Sequence, residues 1–274
     1  WGDGTAYSSA QNDQGFYYYV AVEEGSYYAA LNGLSGQALF ERMRLLINAG
    51  FEPTSYAEAK EILAVADRSL QDASKVWNIY DSRVVPATWD SLSWHREHVW
   101  PNSRLGQPRV TESERSIASD LHNLRAITPS INSSRGDRFY SDGSGQAKTT
   151  SDGGFYPGDE HKGDVARILF YMLVMYEGLT LRDDDLDDVE AYEDDGAIMG
   201  IMSLLLRWHK EDPVSDFERA RNQVIYEAQK NRNPFIDKPE YAHLLFEEKT
   251  IDELLEPQQS IQTGIKHESV RIHG

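Results

Sequence analysis

Cysteine is absent from this 274-residue chain. That excludes disulfides and every zinc site built on thiolates. Long apolar runs are absent as well. None approaches the ~18 residues that would span a bilayer, so the expectation is a soluble globular protein with no membrane partner. Lysine is scarce, nine residues against eighteen arginines, and all cations together are outnumbered 27 to 45 by acids, for a formal net charge of −18. A protein that binds phosphates over much of its surface would not carry that balance. The acid excess reads most simply as solubility, or as tolerance of a salty habitat. An initiating methionine is lacking too. The chain opens at Trp1, as removal of a secretory signal, or trimming, would leave it.

What is present suffices for a large core. Hydrophobic residues make up 40% and aromatics 11%. We expect one domain over residues 1–257 and a polar, mobile tail over 258–274. Gly15 to Val20 suits a short strand or a packed arm. A first helix starts at the N-cap Ser35 and stops at Gly50, with Leu39, Met43, Leu46 and Ile47 at helical spacing. A second opens with the capping box Ser55-x-x-Glu58. Residues 75–85 are rich in strand formers, and Val84-Val85 before Pro86 marks the end of that strand. Residues 142–158 are Gly-, Ser- and Asp-rich, hence a loop. A helix with an apolar stripe follows over 163–178, stopped by Gly178. Nine acids crowd residues 183–195, most simply a solvated loop, with calcium binding as a weaker alternative. Further helices are expected over 197–210, from the box Ser215-x-x-Glu218 to about Lys230, over 241–248 and over 251–255. Helices predominate, so the fold class is α+β, mainly helical.

Chemistry concentrates between Ser93 and Tyr140. From Trp94 to Tyr140 seven arginines meet five acids, a local excess of +2 on an acidic body. Phosphodiester hydrolysis needs an activated water, neutralisation of the transition-state charge and a stabilised leaving oxygen. A neutral histidine activates water near pH 7, and His98 suits that task. A hard cation such as Mg²⁺ does the rest with one or two protein oxygens, which Glu97 and Asn132 can supply. Adjacent residues on a strand point to opposite faces, so Glu97 and His98 share a site only near a strand end. Pro101 suggests one. Asn132 lies too far along the chain for a local contact. The simplest arrangement joining them has one strand over 94–99, a second over 121–127 and a helix begun at Pro129: a ββα unit whose strands are linked by the loop 102–119.

Three blocks in this order, Arg96-Glu97-His98-Val99-Trp100-Pro101, Asp120-Leu121-His122-Asn123-Leu124 and Asn132-x-x-Arg135-Gly136, resemble the endonuclease I family. These are nucleases of the His-Me finger, or ββα-metal, class, and the similarity is greatest to the cysteine-free extracellular bacterial branch. Tyr27-Tyr28, Gly163-Asp164-Val165-Ala166-Arg167 with Tyr171-Met172, Arg221-Asn222 and the stretch Gln229 to Asp237 extend the resemblance to roughly residues 27–245. It implies a secreted or periplasmic, metal-dependent endonuclease with little sequence preference, which cuts DNA and often RNA to 5′-phosphate and 3′-hydroxyl ends. His98 is then the general base, and Glu97 and Asn132 hold one divalent cation, Mg²⁺ first and Mn²⁺ or Ca²⁺ as substitutes. An arginine usually holds the scissile phosphate in this family, and Arg135 and Arg104 are the candidates. Arg96, Asn102 and His122 are the expected substrate-binding residues, and a monomer is the expected state. Some relatives place the arginine in a disulfide-bounded loop, which this chain lacks.

Rival readings are weaker. His95-x-Glu97-His98 fits neither spacing of the zinc hydrolases. His122 can brace the strands instead of touching substrate, and Arg167, on an apolar helix, can be a buried ion-pair partner. A binding module that has lost catalysis would keep the fold but need not keep Glu97, His98 and Asn132 together. An adhesive protein would explain the tyrosines and the charge but not the site.

Overall fold

The computed structural model describes residues 6–11, 17–22, 27–183 and 197–247. The expected helix over 251–255, the tail and all of the acidic run except Asp183 lie outside them. Two strands at the amino end, β1 (Ala6–Gln11) and β2 (Tyr17–Val22), form an antiparallel hairpin.

The helix α1 (Gly36–Asn48) takes Ser35 as its N-cap residue and buries Leu39, Phe40, Met43 and Ile47. The box Ser55/Glu58 forms in both directions, at 2.7 and 3.3 Å. It closes a preliminary turn, and α2 (Ala59–Ala66) begins after it. Residues 75–85 are not one strand. Lys75–Trp77 (β3) and Val84–Pro86 (β4) pair as a hairpin, because Tyr80 and Ser82 adopt positive φ, 76° and 54°, and reverse the chain.

The ββα unit follows. His95–His98 (β5) pairs antiparallel with Leu124–Ile127 (β6), setting Glu97 opposite Arg125 and His98 opposite Leu124. The helix α3 (Pro129–Arg135) starts on Pro129 and ends at Gly136, whose φ of 57° suits a residue without Cβ. The loop over 142–158 holds a small hairpin, β7 (Lys148–Thr149) with β8 (Phe155–Tyr156).

Two hydrophobic clusters meet at the β5–β6 ribbon, one through Leu124 and Ala126 and the other through Ile127. One joins Leu63 of α2, Val76, Trp94, Leu121, Leu124, Ala126 and Ile225. The larger one is built around α4 (Lys162–Met175). The expectation there was a single apolar stripe. Instead every residue from Gly163 to Met175 is buried, because α1 and the later helices Met202–Glu211 and Pro234–Asp237 enclose it. It ends at Tyr176, two residues before the expected stop.

The helix expected over 197–210 begins late. Ile198–Gly200 (β10) pairs in parallel with Thr180–Arg182 (β9), and α5 runs over Met202–Glu211. Asp183 Oδ1 accepts from Ser203 N at 2.8 Å and from its hydroxyl at 3.0 Å, so this acid tethers the first turn of α5 to the end of β9. α6 (Asp216–Gln229) carries a reciprocal box at Ser215 and Glu218 and stops at left-handed Lys230. α7 (Pro234–Asp237) and α8 (Glu240–Phe246) complete the described chain. The architecture is α+β and mostly helical, with two-stranded sheets. No helix among the described residues is long and apolar enough to cross a membrane.

Candidate active site

A cleft of about 640 Å³ opens above the ribbon. Glu97, His98, Asn132, Arg96, Asn102 and Arg109 are among its lining residues. Glu97 and His98 reach one cleft although they are adjacent because His98 is the last residue of β5, where strand geometry relaxes.

His98 is anchored from behind. Its Nε2 lies 2.8 Å from the Ala118 carbonyl, an acceptor only, so Nε2 carries the proton. The lone pair is thereby left on Nδ1, which has no protein partner among the described residues. Burial holds the imidazole below its ordinary range, against the pull of the Ala118 carbonyl and with help from the Arg96 and Arg109 charges. At neutral pH it is an uncharged base.

Glu97 is buried, 2% exposed. The Tyr80 hydroxyl donates to its Oε1 at 2.9 Å, and Arg135 Nε approaches the same oxygen at 3.3 Å. Its Oε2 accepts no hydrogen bond among the described residues. Burial raises this carboxyl to about 7, with Arg135 and the Tyr80 hydroxyl opposing the rise. A desolvated carboxylate with one oxygen free is a site that a cation relieves. On the facing helix, Asn132 Nδ2 donates to His95 Nδ1 at 3.3 Å, and His95 Nε2 donates to the Ser91 carbonyl at 3.0 Å. Those bonds fix the amide and leave Oδ1 unused. No cluster of three or more His, Cys, Asp or Glu side chains suited to a metal exists among the described residues. One carboxylate oxygen and one amide oxygen in a polar cleft fit a hard cation that retains several waters, and fit zinc poorly.

Three of the expected site residues stand elsewhere. Arg135 is fully buried beneath the cleft. Its Nη groups donate to the Arg138 and Val99 carbonyls at 2.7 and 3.0 Å, so it positions Glu97 and has no face left for a phosphate. Arg104 lies 3.9 Å from the centroid of the Phe139 ring and donates to the Asp137 carbonyl at 2.8 Å, away from the cleft lining. His122 is fully buried against Tyr171 with its Nε2 3.3 Å from the Asn231 carbonyl, where no substrate reaches it. Arg96 does line the cleft but is paired with Glu112. Asn102 accepts from Val110 N at 3.0 Å and so shapes the loop.

Sequence reading missed Arg109 and the bracing role of His95. Arg109 is exposed, lines the cleft beside His98 and has no hydrogen bond or ion pair among the described residues. It follows a proline in an unpatterned loop, so only folding of that loop reveals it. The Asn132 contact was the missing signal for His95.

An antiparallel ribbon and a helix that turn a carboxylate, an imidazole and an amide into one cleft define a ββα nuclease. The chain belongs to the endonuclease I family: the model of that family, Endonuclease I, matches residues 54–240. It is therefore a nuclease, a phosphodiesterase. An extracellular ribonuclease of Bacillus amyloliquefaciens is 37% identical over 236 residues, covering 81% of this chain and 78% of the relative. An extracellular ribonuclease of Bacillus subtilis (strain 168) is 36% identical over 237 residues, with the same coverage. Endonuclease-1 of Buchnera aphidicola subsp. Baizongia pistaciae (strain Bp) is 26% identical over 171 residues, 53% of this chain and 61% of the relative.

Proposed function

We propose that this nuclease is a secreted, metal-dependent endonuclease that cuts RNA and DNA with little sequence preference, leaving 5′-phosphate and 3′-hydroxyl ends. The names of the two Bacillus relatives support secretion and an RNA substrate. The observation that carries the mechanism is the pairing of an open His98 Nδ1 with an open Glu97 Oε2 in one cleft.

His98 Nδ1 takes a proton from water as the water oxygen attacks phosphorus. The bond from phosphorus to the 3′-oxygen breaks, and that oxygen gains a proton from solvent. Glu97 Oε2 and Asn132 Oδ1 would hold a divalent cation, Mg²⁺ by preference, which would supply charge neutralisation at the phosphate and the leaving oxygen. Arg109, with no hydrogen bond or ion pair among the described residues, takes the phosphate-holding role for which the family resemblance made Arg135 and Arg104 the candidates. Arg135 and Tyr80 position Glu97, and His95 positions Asn132.

Supercoiled plasmid and a structured RNA incubated in Mg²⁺ or EDTA test this directly. Degradation of both in Mg²⁺ alone, lost in His98→Ala by roughly 10²- to 10⁴-fold, is the expected result. Cleavage by His98→Ala at the parental rate would remove that residue from the mechanism, and EDTA-resistant cleavage would remove the metal.

A further inference from the structure

One strip of side chains leads away from the reacting groups and has no task in the chemistry above. It starts at His98, whose ring stacks on Tyr56 with centroids 5.3 Å apart and planes 28° from parallel. The Arg96 guanidinium lies 3.4 Å from the centroid of the Tyr56 ring. It grips Glu112 with two N–H groups, at 3.2 and 2.8 Å. The same carboxylate meets Lys60 Nζ at 3.0 Å, and that ammonium stands 4.4 Å from the centroid of the Trp89 ring.

Trp89 ends the strip with 37% of its surface exposed. Its indole N–H has no partner among the described residues. The turn that carries it is stapled by Asp90, whose Oδ1 accepts from Leu92 N at 2.8 Å and Ser93 N at 2.9 Å and whose Oδ2 accepts from the Ser93 hydroxyl at 2.6 Å. A large aromatic is thus held at the surface on a fixed turn, a few side chains from the base. Both cations of the strip, Arg96 and Lys60, are paired with Glu112, and Asp90 carries a second carboxylate beside Trp89, so the ring and not net charge is what the strip offers a nucleic acid.

We propose that Trp89 is a stacking subsite for an unpaired nucleobase on the strand leaving the cleft, so that single-stranded nucleic acid is the favoured substrate form. Base–aromatic stacking tolerates every sequence because every base has a π-face, which agrees with low sequence preference. A base inside a duplex has no free face to offer. A pre-positioned ring also loses little freedom on binding. This proposal rests on the nuclease reading of the cleft, but its test reads binding and does not need turnover.

The probe is a single-stranded oligonucleotide carrying 2-aminopurine, bound to the His98→Ala protein so that it stays uncut. Its fluorescence should be quenched on binding. Adding Trp89→Ala or Trp89→Leu should relieve the quenching and weaken binding about tenfold or more, while Trp89→Phe keeps most of both. Affinity for a duplex of the same sequence should not change. Equal single-strand affinity with and without Trp89, or an equal loss on both forms, overturns the subsite. A folded His98→Ala protein that binds neither form overturns the nuclease reading together with it.

Discussion

Around Arg125 of β6, Asp67, Asp164 and Glu218 face Arg125, Arg167 and Arg221, three acids against three cations, all buried. Asp67 Oδ1 receives Arg221 Nε at 2.7 Å and lies 3.3 Å from Arg125 Nε. Arg125 also reaches Asp164 at 2.9 Å, and Arg167 grips Glu218 with two bonds at 2.5 and 2.9 Å. In the cleft the pattern reverses. Among the described residues, Glu97 keeps one oxygen free, His98 keeps Nδ1 free and Arg109 has no hydrogen bond or ion pair. Both regions hold charge at low exposure or in a cleft, yet one is closed on itself and the other is open to a ligand. Burial alone therefore does not mark the site, nor does a missing hydrogen bond, since Arg125 Nε and Nη2 also lack one; an unpaired group that lines a cleft does.

The largest test of this contrast is Asp67→Ala. It leaves Arg125 and Arg221 buried together without their shared carboxylate, and should cost roughly 3–5 kcal/mol of folding stability. Urea unfolding reads that loss, while the activity of the molecules still folded stays near the parent. A cost below about 1 kcal/mol would mean that these ion pairs are not a closed network.

Metal supplies the next largest effect, on the open side. A cation bound at Glu97 and Asn132 stabilises the fold by mass action, about 2.7 kcal/mol when present at about 100 times its Kd. Addition of Mg²⁺ should raise the unfolding midpoint of the parent and leave that of Glu97→Gln unmoved. Equal gains in both proteins would place the cation elsewhere.

Arg109→Ala sharpens the comparison from the substrate side. Because this exposed arginine has no hydrogen bond or ion pair among the described residues, its removal should leave stability unchanged. It should lower kcat/KM by about 10- to 150-fold, the worth of roughly 1.5–3 kcal/mol for hydrogen bonds to a charged group. Arg135→Ala should do the opposite in kind, unfolding the protein more readily, since Arg135 braces Glu97 and two backbone carbonyls. If Arg109→Ala lost stability and kept its rate, the division between open and closed charges would fail at that residue.

The contrast also explains what the sequence could show. The ββα unit was legible because its signals are local: Pro101 after a short strand, Pro129 at a helix start, and a strand-forming run between. Glu97, His98 and Asn132 stood out as a set because their chemistry is rare in so short a span. Whether an arginine is open or closed is a different kind of fact. Arg135 sits three residues from Asn132 and looks like part of the site, yet the Arg138 and Val99 carbonyls take up its Nη donors. Arg109 looks like a loop residue, and only the path of the loop brings it beside His98. The hairpin of β3 and β4 was hidden for a similar reason, since positive φ at Tyr80 and Ser82 is imposed by packing and not by glycine. The strand pairing that delays α5 depends on β9, a partner far enough back in the chain that helical spacing over 197–210 carries no trace of it.

The smallest effect concerns pH and the closed region. Burial pulls His161 down from 6.5 to about 3, with the Arg125 charge adding to the fall. Its Nε2 faces the Ser82 hydroxyl at 2.9 Å. A histidine held neutral contributes stability that is fully present above the unfolded pKa of about 6.5. Below that pH the unfolded chain takes up a proton that the folded chain refuses, so stability is lost as pH falls from 6.5 toward 3. The slope for one proton is about 1.4 kcal/mol per pH unit. Glu218 and Asp212 are raised by burial and act with the opposite sign, losing stability as pH rises from the ordinary carboxyl range. The net curve therefore mixes both, and the difference between parent and His161→Gln isolates the imidazole. That difference should change by about one proton's slope between pH 6 and 5 and become constant above pH 7.5. Urea unfolding at a series of pH values measures it, and a constant difference across the series would show that His161 is not held neutral by the fold.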